Sequence, residues 1–180
     1  MKIIPTSISD LLIIHPTIYK DPRGYFFESY NKQIFASYGL MADFVQDNQS
    51  LSAKNVIRGL HFQRPPYAQT KLVRVISGAV MDVAVDIRKD SPYFGKYVSV
   101  LLTAAENTMF WIPEGFAHGF IALENNTILH YKTSNYYNNE SENALLWNDI
   151  NLNIDWGISN PIISTKDACA ASFENFISPF

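Results

Sequence analysis

The stretch Lys71–Ile87, KLVRVISGAVMDVAVDI, reads as two consecutive strands. Lys71 to Ile76 alternates, Ser77-Gly78 supplies a turn, and Val80 to Ile87 takes up the alternation again. Period-two patterning around a short glycine turn marks paired strands with one face buried. Lys71 opens the first strand and shares a face with Val73 and Val75. If that face lines a barrel, the ammonium needs an anion nearby. If Lys71 lies at the rim, it snorkels to water instead.

The same texture continues on both sides. Tyr97 to Leu102 is β-branched and apolar, Phe110-Trp111-Ile112 precedes Pro113 and Gly115, and Thr127 to Thr133 alternates. Nearly everything between about residue 44 and residue 147 reads as short strands separated by Pro/Gly turns. That arrangement predicts a mainly β fold, a sandwich or barrel and most readily a jelly roll. Before it, Asn31 is a good N-cap for a short helix with Ile34, Phe35 and Tyr38 on its apolar face and Gly39 as its stop. After it, Ser164 or Thr165 can cap a small C-terminal helix with Asp167 in its first turn, followed by Ala168, Ala170 and Ala171. No linker, low-complexity run or internal repeat divides the chain, so a single domain is expected over residues 1–180. The apolar run Leu11 to Ile14 suits an internal edge strand or a strand at a subunit interface.

Composition narrows the partners. At 180 residues and 47% hydrophobic, the chain can bury a substantial core. A net charge of -3 argues against nucleic acid and against an anionic membrane surface. Positive charge is local: Arg58, Arg64, Lys71 and Arg74 crowd into seventeen positions without an acid. Such a patch suits a small anionic ligand. Aromatic residues, 14% of the chain, mostly serve a β-rich core and leave some surface to stack on a planar ligand. The one cysteine, Cys169, excludes an intrachain disulfide and a zinc–cysteine cluster. Met1 to Pro5 lacks the apolar core of a signal peptide, and no apolar run approaches the ~18 residues that span a bilayer. A cytoplasmic protein is expected.

Arg58-Gly59-Leu60-His61-Phe62-Gln63 concentrates the chemistry. A histidine is the natural general base near neutral pH, and the arginine three residues earlier carries a fixed charge. Strict alternation would put positions 58 and 61 on opposite faces. Gly59 permits a bulge, which would bring both side chains to one cavity. If Leu129, Tyr131 and Thr133 face inward, Tyr131 points into that cavity as well, with His130 on the opposite face. A base, a phenolic acid and a cation suit proton transfer next to a carbonyl. Each residue also has a structural reading. A lone histidine in a strand is commonly a hydrogen-bonded core group, and most buried tyrosines are packing groups with one hydrogen bond.

Pro113-Glu114-Gly115-Phe116-Ala117-His118 resembles the second motif of the cupins, a jelly-roll superfamily whose members often bind a metal. Their first motif needs a His-x-His pair and a following glutamate. Here that position reads His61-Phe62-Gln63, and the other histidines are His15, His118 and His130. A three-histidine metal site is therefore hard to build, and no metal and no cofactor are expected.

Taken together, the motifs resemble the dTDP-4-dehydrorhamnose 3,5-epimerases of deoxysugar biosynthesis. The matching segments run in order over nearly the full length. They are Asp21-Pro22-Arg23-Gly24 with Phe27-Glu28, Phe44 to Asn48, Val56 to Gln63, Ala68-Gln69, Lys71 to Val75, Trp111 to Phe120, Tyr131-Lys132, Tyr136-Tyr137, Glu142 and Ser164 to Asp167. Thr70 departs from the small residue commoner in that pattern, and the tail Ile177-Ser178-Pro179-Phe180 is short and aromatic. The resemblance implies His61 as base with Asp167 as its orienting partner, Tyr131 as acid on the opposite face of the sugar, and Lys71 stabilising the enolate. It further implies that Arg23, Glu28, Gln46, Asp47, Asn48, Arg58, Lys71, His118, Glu142 and Lys166 contact a dTDP-linked 4-ketosugar, with Tyr136 stacking near the nucleotide. For Asp167 itself, the sequence offers only a helix-N-terminal acid. A homodimer with exchanged N-terminal segments is implied too. Three other readings share many of these residues: a mono-epimerase on a related ketosugar, a metal-dependent cupin enzyme, and a non-catalytic sugar-nucleotide-binding module.

Overall fold

Alternation along the strands divides the apolar side chains between two sheets and three cores. The computed structural model describes residues 1–180. Its elements are β1 (Lys2–Pro5), β2 (Leu12–His15), β3 (Tyr19–Asp21), β4 (Gly24–Phe26), α1 (Lys32–Ser37), β5 (Gln46–Ser52), β6 (Ile57–Gln63) and β7 (Lys71–Ser77). They continue as β8 (Ala79–Asp86), β9 (Tyr97–Thr103), β10 (Met109–Ile112), β11 (Phe116–Ala122), β12 (Thr127–Thr133), β13 (Glu142–Ala144) and α2 (Thr165–Ala168). A six-stranded sheet has the order β1-β2-β10-β7-β12-β5, and a five-stranded sheet has the order β13-β6-β11-β8-β9. The pairings within both sheets are antiparallel. β3 and β4 form a separate hairpin.

The inward faces of the two sheets make the barrel core. Val73 and Val75 of β7, Val80 and Ala84 of β8, Phe110 and Ile112 of β10, Phe116 and Phe120 of β11 and Leu129 of β12 pack there together. The alternate positions face outward. Val83, Val85, Ala117 and Ile121 meet the C-terminal segment, whereas Leu72, Met109 and Trp111 meet Phe35 of α1. Burying each large apolar side chain stabilises the fold by roughly 1.5–3 kcal/mol, so both faces of the central strands contribute. This is the jelly-roll barrel expected from the alternation. No helix is long and apolar enough to cross a membrane.

The helices are shorter than their sequence patterns suggest. Asn31 caps α1 as expected, accepting from the amides of Gln33 and Ile34. Gly39 adopts φ +79°, and the amides of Gly39 and Leu40 return to the carbonyls of Ala36 and Phe35. This left-handed closure satisfies carbonyls at the helix end. Of the expected apolar face, however, only Phe35 is buried, while Ile34 and Tyr38 are exposed. Six residues make fewer than two turns, too few to bury three such positions. α2 spans only Thr165–Ala168, so Ala170 and Ala171 lie beyond it. β2 is an internal strand between β1 and β10, and β1 forms the sheet edge.

Candidate active site

β6 carries Arg58 and His61, and its pairing with β11 is irregular between His118 and Phe120. Gly59 explains the irregularity. Its φ is +132°, and a Cβ there would collide with the backbone of His118 and Gly119. Only glycine allows both this conformation and this approach. As expected, Arg58 and His61 then border the same cavity, of about 510 Å³. Lys71, His118 and Tyr131 border it from the barrel, and Lys166 and Asp167 border it from α2.

Asp167 reaches His61 because long-range contacts hold its segment in place. The Ile57 amide donates to the Ile162 carbonyl and the Ile162 amide to the Asn55 carbonyl, which runs the C-terminal chain alongside the start of β6. Farther on, Asp149 Oδ2 accepts from Ser172 Oγ at 3.1 Å and from the Phe173 amide at 2.8 Å. Phe176 and Phe180 then pack edge-on against Phe62, the neighbour of His61. Ser164 caps α2 by accepting from the Asp167 amide. The result sets Asp167 Oδ1 2.6 Å from His61 Nε2. The Gly59 amide donates to Asp167 Oδ2 at 3.4 Å. Burial pushes the Asp167 carboxyl up, but the bond from His61 and the Gly59 and Ser164 contacts outweigh it and leave it below its usual range. An ionised Asp167 accepts a hydrogen bond from Nε2–H, so Nδ1 holds the lone pair of the neutral ring.

Lys71 is buried, with only 6% of its surface exposed, which rejects the rim alternative. Its Nζ donates to the His61 carbonyl at 3.2 Å. Burial lowers its pKa to about 8, against the attraction of Asp82 and Glu142. Tyr131 packs against the barrel core, and burial, aided by Glu142, raises its phenol above the ordinary value. That phenol is protonated near neutral pH, as a proton donor must be.

A second recess, of about 150 Å³, opens beside the first and shares His61, Lys71 and Tyr131 with it. Its other walls include Gln46, Asn48 and Glu142, together with Gln63, Gln69 and Tyr137. Glu142 Oε2 accepts from Lys166 Nζ at 2.5 Å and from Tyr137 Oη at 2.8 Å. Burial favours the neutral Glu142, but these two donors outweigh it and hold the carboxyl below its usual range.

Four residues in the substrate set implied by the resemblance lie elsewhere. Asp47 sits on the other face of β5, bonded to Lys132 Nζ at 2.8 Å. Tyr136 is exposed, and its carbonyl accepts from Gln63 Nε2. Arg23 pairs with Asp21 in the β3–β4 hairpin, and Glu28 accepts from Asn31. Arg58 is exposed and donates from Nε to Ser52 Oγ and from Nη2 to the Leu51 carbonyl. Sequence reasoning missed Tyr137, the neighbour of Tyr136, and Asp82, which meets His118 Nε2 at 2.8 Å. Asp82 could have been found from its spacing, because it shares the inward face of β8 with Val80 and Ala84. No three His, Cys, Asp or Glu side chains are grouped to hold a metal ion. His61 and His118 are register partners, but each Nε2 faces its own carboxylate.

A profile of the dTDP-4-dehydrorhamnose 3,5-epimerase family matches residues 5–175. The chain belongs to this family. The dTDP-4-dehydrorhamnose 3,5-epimerase of Salmonella typhimurium is 54% identical over 172 residues, covering 94% of each chain. That of Shigella flexneri is 50% identical over 174 residues, covering 96% of each. Among solved structures, a dTDP-6-deoxy-D-glucose-3,5-epimerase of Legionella pneumophila in complex with dTDP-4-keto-L-rhamnose superposes with TM-score 0.93 and 45% identity, covering 98% of this chain and 94% of that one. A 3'-monoepimerase of Streptomyces bikiniensis in complex with dTDP-quinovose superposes with TM-score 0.87 and 29% identity, covering 94% of this chain and 87% of that one. The epimerase family thus shares this cupin-type barrel.

Proposed function

We propose that the protein epimerises dTDP-4-dehydro-6-deoxy-D-glucose at carbons 3 and 5, giving dTDP-4-dehydro-L-rhamnose for dTDP-L-rhamnose biosynthesis. One observation carries the mechanism: the His61–Asp167 pair, at 2.6 Å, shares a cavity with Tyr131 and Lys71. The 4-keto group acidifies the protons on both neighbouring carbons. His61 removes one of them, and negative charge moves onto the ketone oxygen. Lys71 stabilises that oxyanion from inside the barrel, where a charge acts more strongly than in water. Tyr131 returns a proton to the opposite face, which inverts the centre. Repetition at the second carbon completes the reaction. Asp167 orients the imidazole and stabilises the imidazolium as it forms. Neither step is a redox change, so no nicotinamide is required. Arg58 and Lys166 suit the diphosphate, and exposed Tyr136 suits the thymine.

The distant residues fit a homodimer. Tyr19, Tyr25 and Phe26 of the β3–β4 hairpin are 64%, 59% and 67% exposed, an unusual load of aromatic surface. In the proposed dimer this hairpin crosses to the partner and brings Arg23 and Glu28 to its nucleotide. Mixing Arg23→Ala with His61→Ala protein then restores turnover through one intact site, and absence of any recovery rejects the exchange. A cytoplasmic location suits the unpaired thiol of Cys169.

The test is turnover of the 4-keto sugar coupled to a reductase. Wild-type silence rejects the assignment. Tyr131→Phe lowers turnover by about 10²-fold, the lower end of general-acid effects. Solvent-deuterium exchange read by mass spectrometry distinguishes two labelled carbons from the one expected of a mono-epimerase. Because no donor cluster suits a metal, a chelator leaves turnover unchanged; loss of activity would favour the metal-dependent reading.

A further inference from the structure

Beneath the catalytic residues lies a carboxylate that the mechanism above does not use. β8 turns Val80, Asp82 and Ala84 towards the barrel, and β7 turns Lys71, Val73 and Val75 towards the same interior from the opposite sheet. Asp82 is completely buried. Its Oδ1 meets His118 Nε2 at 2.8 Å, and its Oδ2 is shut away from solvent without a hydrogen-bond partner. A carboxylate so placed meets a large desolvation cost unless a charge offsets it. Lys71 is the buried ammonium of the same interior, and its one side-chain hydrogen bond goes to a neutral carbonyl. Each charge therefore lacks what the other supplies.

We propose that Asp82 is a positioning residue that holds Lys71 as the ammonium and fixes the His118 ring, so that the cation needed by the enolate is present at neutral pH. This rests on the reading of Lys71 as the group that meets the developing oxyanion. Around Lys71, β6 contributes His61, β11 contributes His118, β12 contributes Tyr131 and β13 contributes Glu142. Arg58, Lys166 and Asp167, the partner of His61, complete the charged set bordering the cavity. Glu142 is engaged by Lys166 and Tyr137, and Asp167 by His61, so both acids already have hydrogen-bonding partners. Asp82 retains a free oxygen. Burial alone would drive Lys71 towards the neutral amine, and the Asp82 charge opposes that tendency.

Asp82→Asn isolates the effect, because the amide oxygen still accepts from His118 Nε2 while the charge is lost. Heteronuclear NMR titration of the Lys71 ammonium, assigned with Lys71→Met, reads the result without turnover. The wild-type midpoint falls at about 8. In D82N it falls by about one pH unit or more, and the alkaline limb of kcat moves with it. The expected loss is roughly tenfold at pH 8.5 and under twofold at pH 6.5, with KM little changed. A folded D82N protein with wild-type Lys71 titration and an unshifted pH profile overturns the proposal and leaves a structural pair only. In the wild type alone, the Asp82 carboxyl ¹³C resonance must step with Lys71, and a flat trace overturns the proposal even if D82N does not fold. Full turnover by Lys71→Met would instead sink the enolate reading while leaving the Lys71–Asp82 coupling intact.

Discussion

His61–Asp167 and His118–Asp82 are the same chemical pair in two settings. The first joins residues 106 positions apart, and its imidazole is 35% exposed at the cavity. The second joins residues 36 positions apart on neighbouring strands, and both side chains are buried. A base must meet substrate and exchange its proton, so the exposed imidazole suits turnover. A pair closed off from solvent instead sets the field and orientation of its neighbours. Access, rather than residue type, separates the two roles.

The largest expected effect comes from removing the exposed imidazole. His61→Ala lowers kcat by about 10³-fold or more, within the range of general-base catalysis, with only a small change in melting temperature. Undiminished turnover in the coupled assay would reject the division of roles. Asp167→Asn keeps the shape of the pair but removes its charge, and a loss of about 10²-fold is expected with KM nearly unchanged. Steady-state kinetics at pH 7 measures both losses.

Lys71 borders the cavity together with both imidazoles, and its burial has a measurable cost. Its folded pKa of about 8 lies below the ordinary 10.5. Below pH 8 both folded and unfolded chains hold the proton, so the full penalty is present there. Stability from this group rises as pH increases from 8 to 10.5. Lys71→Met should therefore stabilise the fold by as much as about 3 kcal/mol at pH 7 while lowering turnover. Chemical denaturation compared at pH 7 and pH 10 checks this: the gain must shrink at the higher pH.

The smallest effect concerns Asp86 and Asp149, whose carboxyls are both held below their usual range. Burial raises each, but Arg88 and Ser91 outweigh it at Asp86, as do the Phe173, Asn151, Leu152 and Ser172 donors at Asp149. Their contribution is fully present above the ordinary carboxylate pKa and is lost as pH falls through the depressed folded values. Thermal melts from pH 6 to pH 3 should show a falling midpoint. Asp149→Asn should flatten that fall slightly, and an unchanged slope would count against its anchoring role.

Local pattern carried the barrel and half of the site. Alternation placed Lys71 on one face with Val73 and Val75 and Tyr131 on one face with Leu129 and Thr133 but left open which way those faces turned, and Gly59 marked where Arg58 and His61 could share a cavity. The pairing of His61 with Asp167 came only through family resemblance. It depends on contacts from Ile162, Asp149 and the aromatic tail, all distant from β6 in sequence and without periodicity. Ile34 and Tyr38 had the spacing of a buried helix face, but α1 is too short to use it. Asp82 stood in plain sight among inward apolar residues of β8, where an acid is itself a signal of buried chemistry.

The docking of α2 through Asp149, Phe176 and Phe180 keeps two kinds of integrity apart. All strands of both sheets precede residue 145, whereas Asp167 follows it, so no ladder of either sheet includes the residue that orients the base. Loosening the C-terminal segment therefore parts the carboxylate from the imidazole while every ladder keeps its register.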